Sequence, residues 1–187
     1  MSIKATVLGL AGKIASGKST LSVNFAEAMG WPYISFGDYV RSVTRQLGLD
    51  DSRREILQDV GASLVAENCE EFCRAAVSQA EHWRPGESLV IDGIRHIQVK
   101  QALEKIVPPS AFVLGYLTVD DHTRRQRWLE SRILTEEKIE LLESASTEMQ
   151  AKADLIEVAD FVLDGTRPIT TLIEDIKIKL TELSEAT

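Results

Sequence analysis

The chain has 187 residues, 44% of them hydrophobic and 27% charged, which is enough for one domain with a sizeable core and short for two. A formal net charge of −8 argues against a broad nucleic-acid-binding surface, so any anion site has to be built locally, against the overall field. No apolar run approaches the roughly 20 residues of a membrane-spanning helix, the N-terminus lacks a signal-peptide layout, and Cys69 and Cys73 are the only cysteines. A cytoplasmic protein with reduced, buried thiols is expected.

The first predicted element is a strand over residues 4–10, with Thr6-Val7-Leu8-Gly9-Leu10 as an apolar run suited to a buried parallel strand. It leads into Gly12-Lys13-Ile14-Ala15-Ser16-Gly17-Lys18-Ser19, a Gly, four residues, then Gly-Lys-Ser. Thr20 and the residues after it begin a helix over 18–29. The chemistry needs these types at this spacing. Glycines let backbone N–H groups curl around a phosphate, and the helix N-terminus adds its positive dipole end. Lys18 can reach the outer phosphates of a nucleotide, and the Ser19 hydroxyl can ligate Mg²⁺.

Further strands are predicted over 33–35, 88–92, 111–119 and 160–164. Helices fall between and after them, over 37–48, 52–82, 97–106, 121–133, 136–158 and 168–183. Such alternation predicts an α/β protein with a parallel sheet covered on both faces. Ser52 and Glu55 form a capping-box pattern ahead of Ile56, Leu57, Val60 and Leu64. The last helix carries Ile169, Leu172, Ile173, Ile176, Leu180 and Leu183 on one stripe, with Pro168 near its first turn. No linker or repeat divides the chain, so residues 1–187 read as one domain with helical insertions at about 37–82 and about 121–158. Cys69 and Cys73 share one face of the long helix with Phe72, Ala76 and Val77, a core-like setting.

A phosphate loop alone says nucleotide, not reaction, and three further segments narrow it. Leu89-Val90-Ile91-Asp92-Gly93-Ile94-Arg95 is an apolar strand ending in Asp. Asp92 at the C-terminal end of such a strand can orient Mg²⁺ or its water shell beside Ser19. Arg41 and Arg95 are candidates to clamp an acceptor phosphate, because guanidinium binds phosphate in a two-pronged geometry. Asp38 either joins that acceptor site or caps a helix with Ser35. The run Asp120 to Arg132 is arginine-rich and forms either a lid face or a solvated basic face.

Ser35-Phe36-Gly37-Asp38-Tyr39-Val40-Arg41 resembles the acceptor-binding stretch of adenylate kinases, and Asp92-Gly93-Ile94-Arg95 resembles their Asp-Gly-Phe-Pro-Arg stretch, one residue shorter. Ala159-Asp160-Phe161-Val162-Leu163-Asp164-Gly165 is similar to the final strand and adenine-side loop of dephospho-CoA kinases. The resemblance implies a three-layer P-loop NTPase fold with five parallel strands in the order 2-3-1-4-5. It also implies a nucleotide kinase that moves the γ-phosphoryl group of ATP, with Mg²⁺, to a nucleoside monophosphate or similar acceptor. On that reading Gly12 through Thr20 and Gly165 hold ATP, and Asp38, Arg41 and Arg95 hold the acceptor. Ser19 and Asp92 place the metal, while Lys18, Arg95, Arg127 and Arg132 serve catalysis.

The chain departs from the family in two places. Gln98 and Gln101 are out of register with the adenine-reading Gln of adenylate kinases. Four residues after Arg127 stands Ser131, and Arg132, one residue further on, is rotated about 140° away from Arg127 on an ideal helix. The alternatives are a dephospho-CoA-kinase-like enzyme, or an ATP-binding or ATPase interaction module without a small acceptor. The guanine-reading Asn-Lys-x-Asp of GTPases does not occur.

Overall fold

The computed structural model describes residues 4–130 and 155–186. The chain order is β1 (Thr6–Gly12), α1 (Lys18–Met29), β2 (Tyr33–Ser35), α2 (Phe36–Gln46), α3 (Arg54–Val77), β3 (Leu89–Ile94), α4 (Ile97–Ile106), β4 (Ala111–Thr118), α5 (Asp121–Glu130), β5 (Phe161–Asp164) and α6 (Ile169–Glu185). The strands form one sheet in the order β2-β3-β1-β4-β5. Every pairing is parallel, as a sheet whose strands are joined by helical crossovers requires.

The central strand shows why both faces are covered. Val7 and Ala11 join one core with Ile34, Leu89, Ile91, Leu114 and the α3–α4 residues Phe72, Cys73 and Leu103. Leu8 and Leu10 point the other way, into a second core with Leu21 and Phe25 of α1 and Ile176 and Leu180 of α6. Apolar residues at successive positions are what a strand buried on both faces needs. The α6 stripe is seated as expected, with Leu172, Ile173, Ile176 and Leu180 buried. Both cysteines are free thiols, and burial pushes the Cys73 thiol well above the ordinary range.

Four local expectations are corrected. β1 runs on to Gly12, because its ladder with β4 continues through Gly12 opposite Leu117. β3 likewise runs on to Ile94, past an extra residue, to pair with Ala11. The single helix over 52–82 is shorter and broken: α3 starts at Arg54, ends at Val77, and leaves helical geometry at Asn68. The Asn68 carboxamide oxygen there accepts the Glu71 N–H at 3.1 Å and starts a fresh turn. The Ser52–Glu55 capping box does not form. Ser52 donates its hydroxyl to Asp50 Oδ1 at 2.6 Å and its N–H to the same atom at 3.0 Å, so a nearer carboxylate wins the serine. The helix predicted over 136–158 lies outside the described residues except at its end, where 155–157 are helical.

Candidate active site

The connections from β1 and β3 leave to opposite faces: α1 packs in one core, α4 in the other. Between neighbouring strands whose helices diverge, a crevice opens at the C-terminal edge, where ligands of open parallel sheets bind. Both the Gly12–Ser19 loop and Asp92 sit at this edge.

The loop's shape is set by residues that no other types replace easily. Gly12 has φ +153°, and a Cβ there would stand 2.6 Å from the Leu117 carbonyl oxygen and 3.0 Å from Ser16 Oγ. Ala15 holds φ +60° without being glycine, a sparsely populated conformation fixed by the surrounding turn. Ser16 N–H donates to the Lys13 carbonyl at 3.2 Å and closes that turn. Gly17, at φ +91°, precedes α1 and supplies no side-chain cap. The first N–H groups of α1 therefore have no capping side chain, the arrangement that suits an anion. Lys18, the first residue of α1, is only 8% exposed, and Ser19 beside it is exposed.

Asp92 is paired in register with Leu10 of β1 on one side and Ser35 of β2 on the other. It is 4% exposed, and its Oδ1 is buried with no hydrogen-bond partner. An orphaned carboxylate oxygen next to a phosphate loop fits a divalent cation or its water shell. No group of three or more His, Cys, Asp or Glu residues among the described residues is arranged for a metal. Ser19 and Asp92 carry oxygen donors of the kind a hard cation that keeps several waters takes.

Gly93 is the extra residue of β3. With φ +88° it forms a bulge, and a Cβ on it would lie 3.6 Å from the Gly37 backbone nitrogen. The bulge therefore lays the end of β3, two residues before Arg95, against the first turn of α2, the helix that carries Arg41. Ser35 caps that helix by accepting the Asp38 N–H at 3.2 Å. Asp38 Oδ1 holds Arg41 Nη1 at 3.0 Å, so Asp38 and Arg41 form a local, exposed ion pair. Burial first, then the charge of Arg95, lowers the His96 pKa. Burial, with the carboxylates Asp92 and Asp38 nearby, raises the Tyr33 phenol to about 12.

On the other flank, Arg127 of α5 donates Nη1 to the Ser16 carbonyl at 3.0 Å and Nη2 to the Gly165 carbonyl at 2.8 Å. A Cβ on Gly165 would meet the Ser16 carbonyl oxygen at 2.9 Å, so the turn after β5 rests directly on the phosphate loop. Arg127 joins the two. Lys13 Nζ lies 2.9 Å from Asp121 Oδ1, which also accepts Arg124 Nη2 at 3.1 Å. Gly12–Thr20, Asp92, Arg127 and Gly165 thus share one edge of the sheet, and Asp38, Arg41 and Arg95 lie beyond β3. Arg132 falls outside the described residues. Sequence reasoning missed Tyr33 and Asp121: an aromatic at a strand start reads as core, and an acid at a helix start reads as a dipole partner.

Among the described residues no helix is long and apolar enough to cross a membrane. The AAA domain family matches residues 8–166. A UPF0200 protein of Pyrobaculum aerophilum is 29% identical over 183 residues, covering 95% of this chain and 98% of the relative. A gluconokinase from Sinorhizobium meliloti superposes with TM-score 0.59 at 18% identity, covering 100% of this chain and 97% of its own. A shikimate kinase from Bacteroides thetaiotaomicron superposes with TM-score 0.61 at 13% identity, covering 94% and 98%. The family match runs from within β1 through the loop to the turn clamped by Arg127, and it takes in all five strands except Thr6 and Val7 of β1. The chain belongs to the AAA domain family and has a P-loop kinase-like fold.

Proposed function

We propose that this protein is an ATP-dependent phosphotransferase whose acceptor is a nucleoside monophosphate or a similar nucleotide. The observation that carries the reading is the β3 bulge at Gly93. It lays Gly93, two residues before Arg95, against the first turn of the helix that carries Arg41, one strand away from the phosphate loop. A protein that only binds or hydrolyses ATP has no use for a second pair of phosphate-grade cations there.

In this reading the loop N–H groups and Lys18 hold the donor phosphates, and Arg127 keeps the turn at Gly165 fixed against the loop. Ser19 and Asp92 would hold Mg²⁺, which when bound neutralises charge on the transferring phosphoryl group. Arg41 exchanges Asp38 for the acceptor phosphate and, with Arg95, keeps the attacking oxygen in line with the γ-phosphorus. That oxygen forms the new P–O bond as the bond to the β-phosphate oxygen breaks and ADP leaves. Arg127, with Arg132 from beyond the described residues, would neutralise charge in transit. Such catalysis is positioning and electrostatics, so it needs no cluster of general bases. Two free thiols fit the cytoplasm, where this chemistry has its substrates.

A second reading draws on the Asp38–Arg41 pair itself. If that ion pair is permanent, the far cation is spent locally and the chain is an ATP-gated interaction module. A coupled assay of ADP release separates the two. It would use nucleoside and deoxynucleoside monophosphates and dephospho-CoA, with gluconate and shikimate as non-nucleotide acceptors. The kinase reading expects release that depends on one nucleotide acceptor and yields its phosphorylated product. Release that is slow and indifferent to every acceptor would favour the module.

A further inference from the structure

α5 touches the phosphate loop through two kinds of bond. Arg127 donates to the Ser16 carbonyl, and six residues earlier in the same helix Asp121 pairs with Lys13, the second residue of the loop. The second contact has an unusual balance of exposure. The Asp121 side chain is 66% exposed, whereas Lys13 is 20% and Arg124 only 5% exposed. One carboxylate oxygen therefore serves two cations, one from the loop and one drawn in beneath α5.

We propose that Asp121 is a positioning residue that competes with the donor nucleotide for Lys13, so that phosphate binding breaks the Lys13–Asp121 pair and loosens α5 from the loop. The proposal rests on the nucleotide reading of the loop. Three observations support it. Lys13 is the second residue of a loop whose backbone is shaped for an anion, and its ammonium rides on a flexible four-carbon stem. An ion pair with so exposed a carboxylate is weakly held, whereas phosphate oxygens are strong charge-assisted acceptors carrying more charge than one carboxylate. After the exchange Asp121 still has Arg124, so no charge beneath α5 loses its counter-ion. Arg127 still ties α5 to the loop through the Ser16 carbonyl after the exchange.

The test is titration calorimetry of the full chain with MgADP, comparing the parent with Asp121→Asn, each with Lys13 intact and with Lys13→Met. Asp121→Ser serves as a second variant in case the first disturbs folding, with melting curves taken without nucleotide. The expected result is that Asp121→Asn tightens MgADP by about two- to fivefold, the range an exposed ion pair spans, and that Lys13→Met abolishes this gain. Unchanged or weaker binding overturns the proposal. So does a gain that survives in the Lys13→Met background, because it would report only a general field. An Asp121 with a merely structural role would lower the melting temperature without tightening the nucleotide. Failure of the parent to bind MgADP at all would overturn the nucleotide reading, and this inference with it.

Discussion

Lys18 carries a charge into a space that leaves it 8% exposed, at the head of a helix with no capping side chain. A buried lysine is tolerated where it meets strong acceptors, and the loop is built to hold phosphates. Lys18→Ala should therefore fold normally and lose about 10²- to 10³-fold in turnover, the usual loss for one well-placed electrostatic donor. Turnover at the parent rate would show that the loop is not the reacting centre. Arg41 and Arg95 call for a different measurement. Replacing either with Ala should raise the acceptor KM or lower kcat by roughly 10- to 150-fold, the worth of a charge-assisted guanidinium contact, with ATP affinity little changed. Lysine should recover only part, because an ammonium keeps the charge and loses the fork. Since Arg41 already pairs with Asp38, a loss confined to melting temperature would assign Arg41 to α2 stability alone. The loop was legible at this scale because its eight residues are consecutive. The Lys13–Asp121 and Arg127–Ser16 contacts were not, because their partners lie 108 and 111 residues apart.

At the scale of elements, periodicity located every strand and helix among the described residues, and missed the places where a side chain redirects the backbone. Residues 97–106 and 18–29 are helical over the predicted spans because their apolar positions meet a core on one side. α3 keeps the same periodicity through Asn68, yet Asn68 has φ −160° and accepts the Glu71 N–H, so the stripe hides a break. Asparagine competes for backbone donors in this way wherever a helix can restart behind it. Asn68→Ala should remove that cap and cost about 1 kcal/mol of stability, within the 0.5–2 kcal/mol typical of N-caps. Asn68→Asp, which keeps an accepting oxygen, should restore most of it. Urea midpoints for the three proteins check this. If alanine were neutral, the break would owe nothing to the Asn68 side chain, and packing of Phe72 and Cys73 into the core would have to place it.

Alternation and the handedness of parallel crossovers predict a parallel sheet and leave few orders for its five strands, and the resemblance to nucleotide kinases selects the order 2-3-1-4-5 that the structure shows. What alternation does not carry is the electrostatic cost of the far edge. There Tyr33, Asp92 and Asp38 crowd one corner of the sheet, and nothing in the spacing of those residues announces it. That corner has a consequence for the molecule as a whole. Burial, aided by the two carboxylates, raises the Tyr33 phenol to about 12, and burial also raises the Cys73 thiol. In the unfolded chain these groups titrate near their ordinary values, about 10 and about 8.5. Between the unfolded and folded values the native state keeps protons that the unfolded state has lost, so stability falls as pH rises. The contribution is fully present below the unfolded pKa values. The thiol's share begins to go above about pH 8.5, and the phenol's goes between about pH 10 and about pH 12. Urea midpoints taken at about pH 8 and about pH 11 should therefore drop for the parent, and drop less for Tyr33→Phe, which has no proton to lose. If the two proteins lost the same stability over that interval, Tyr33 would be titrating as freely as an exposed phenol. Neither its burial nor the Asp92 and Asp38 charges near it would then have weight in the fold.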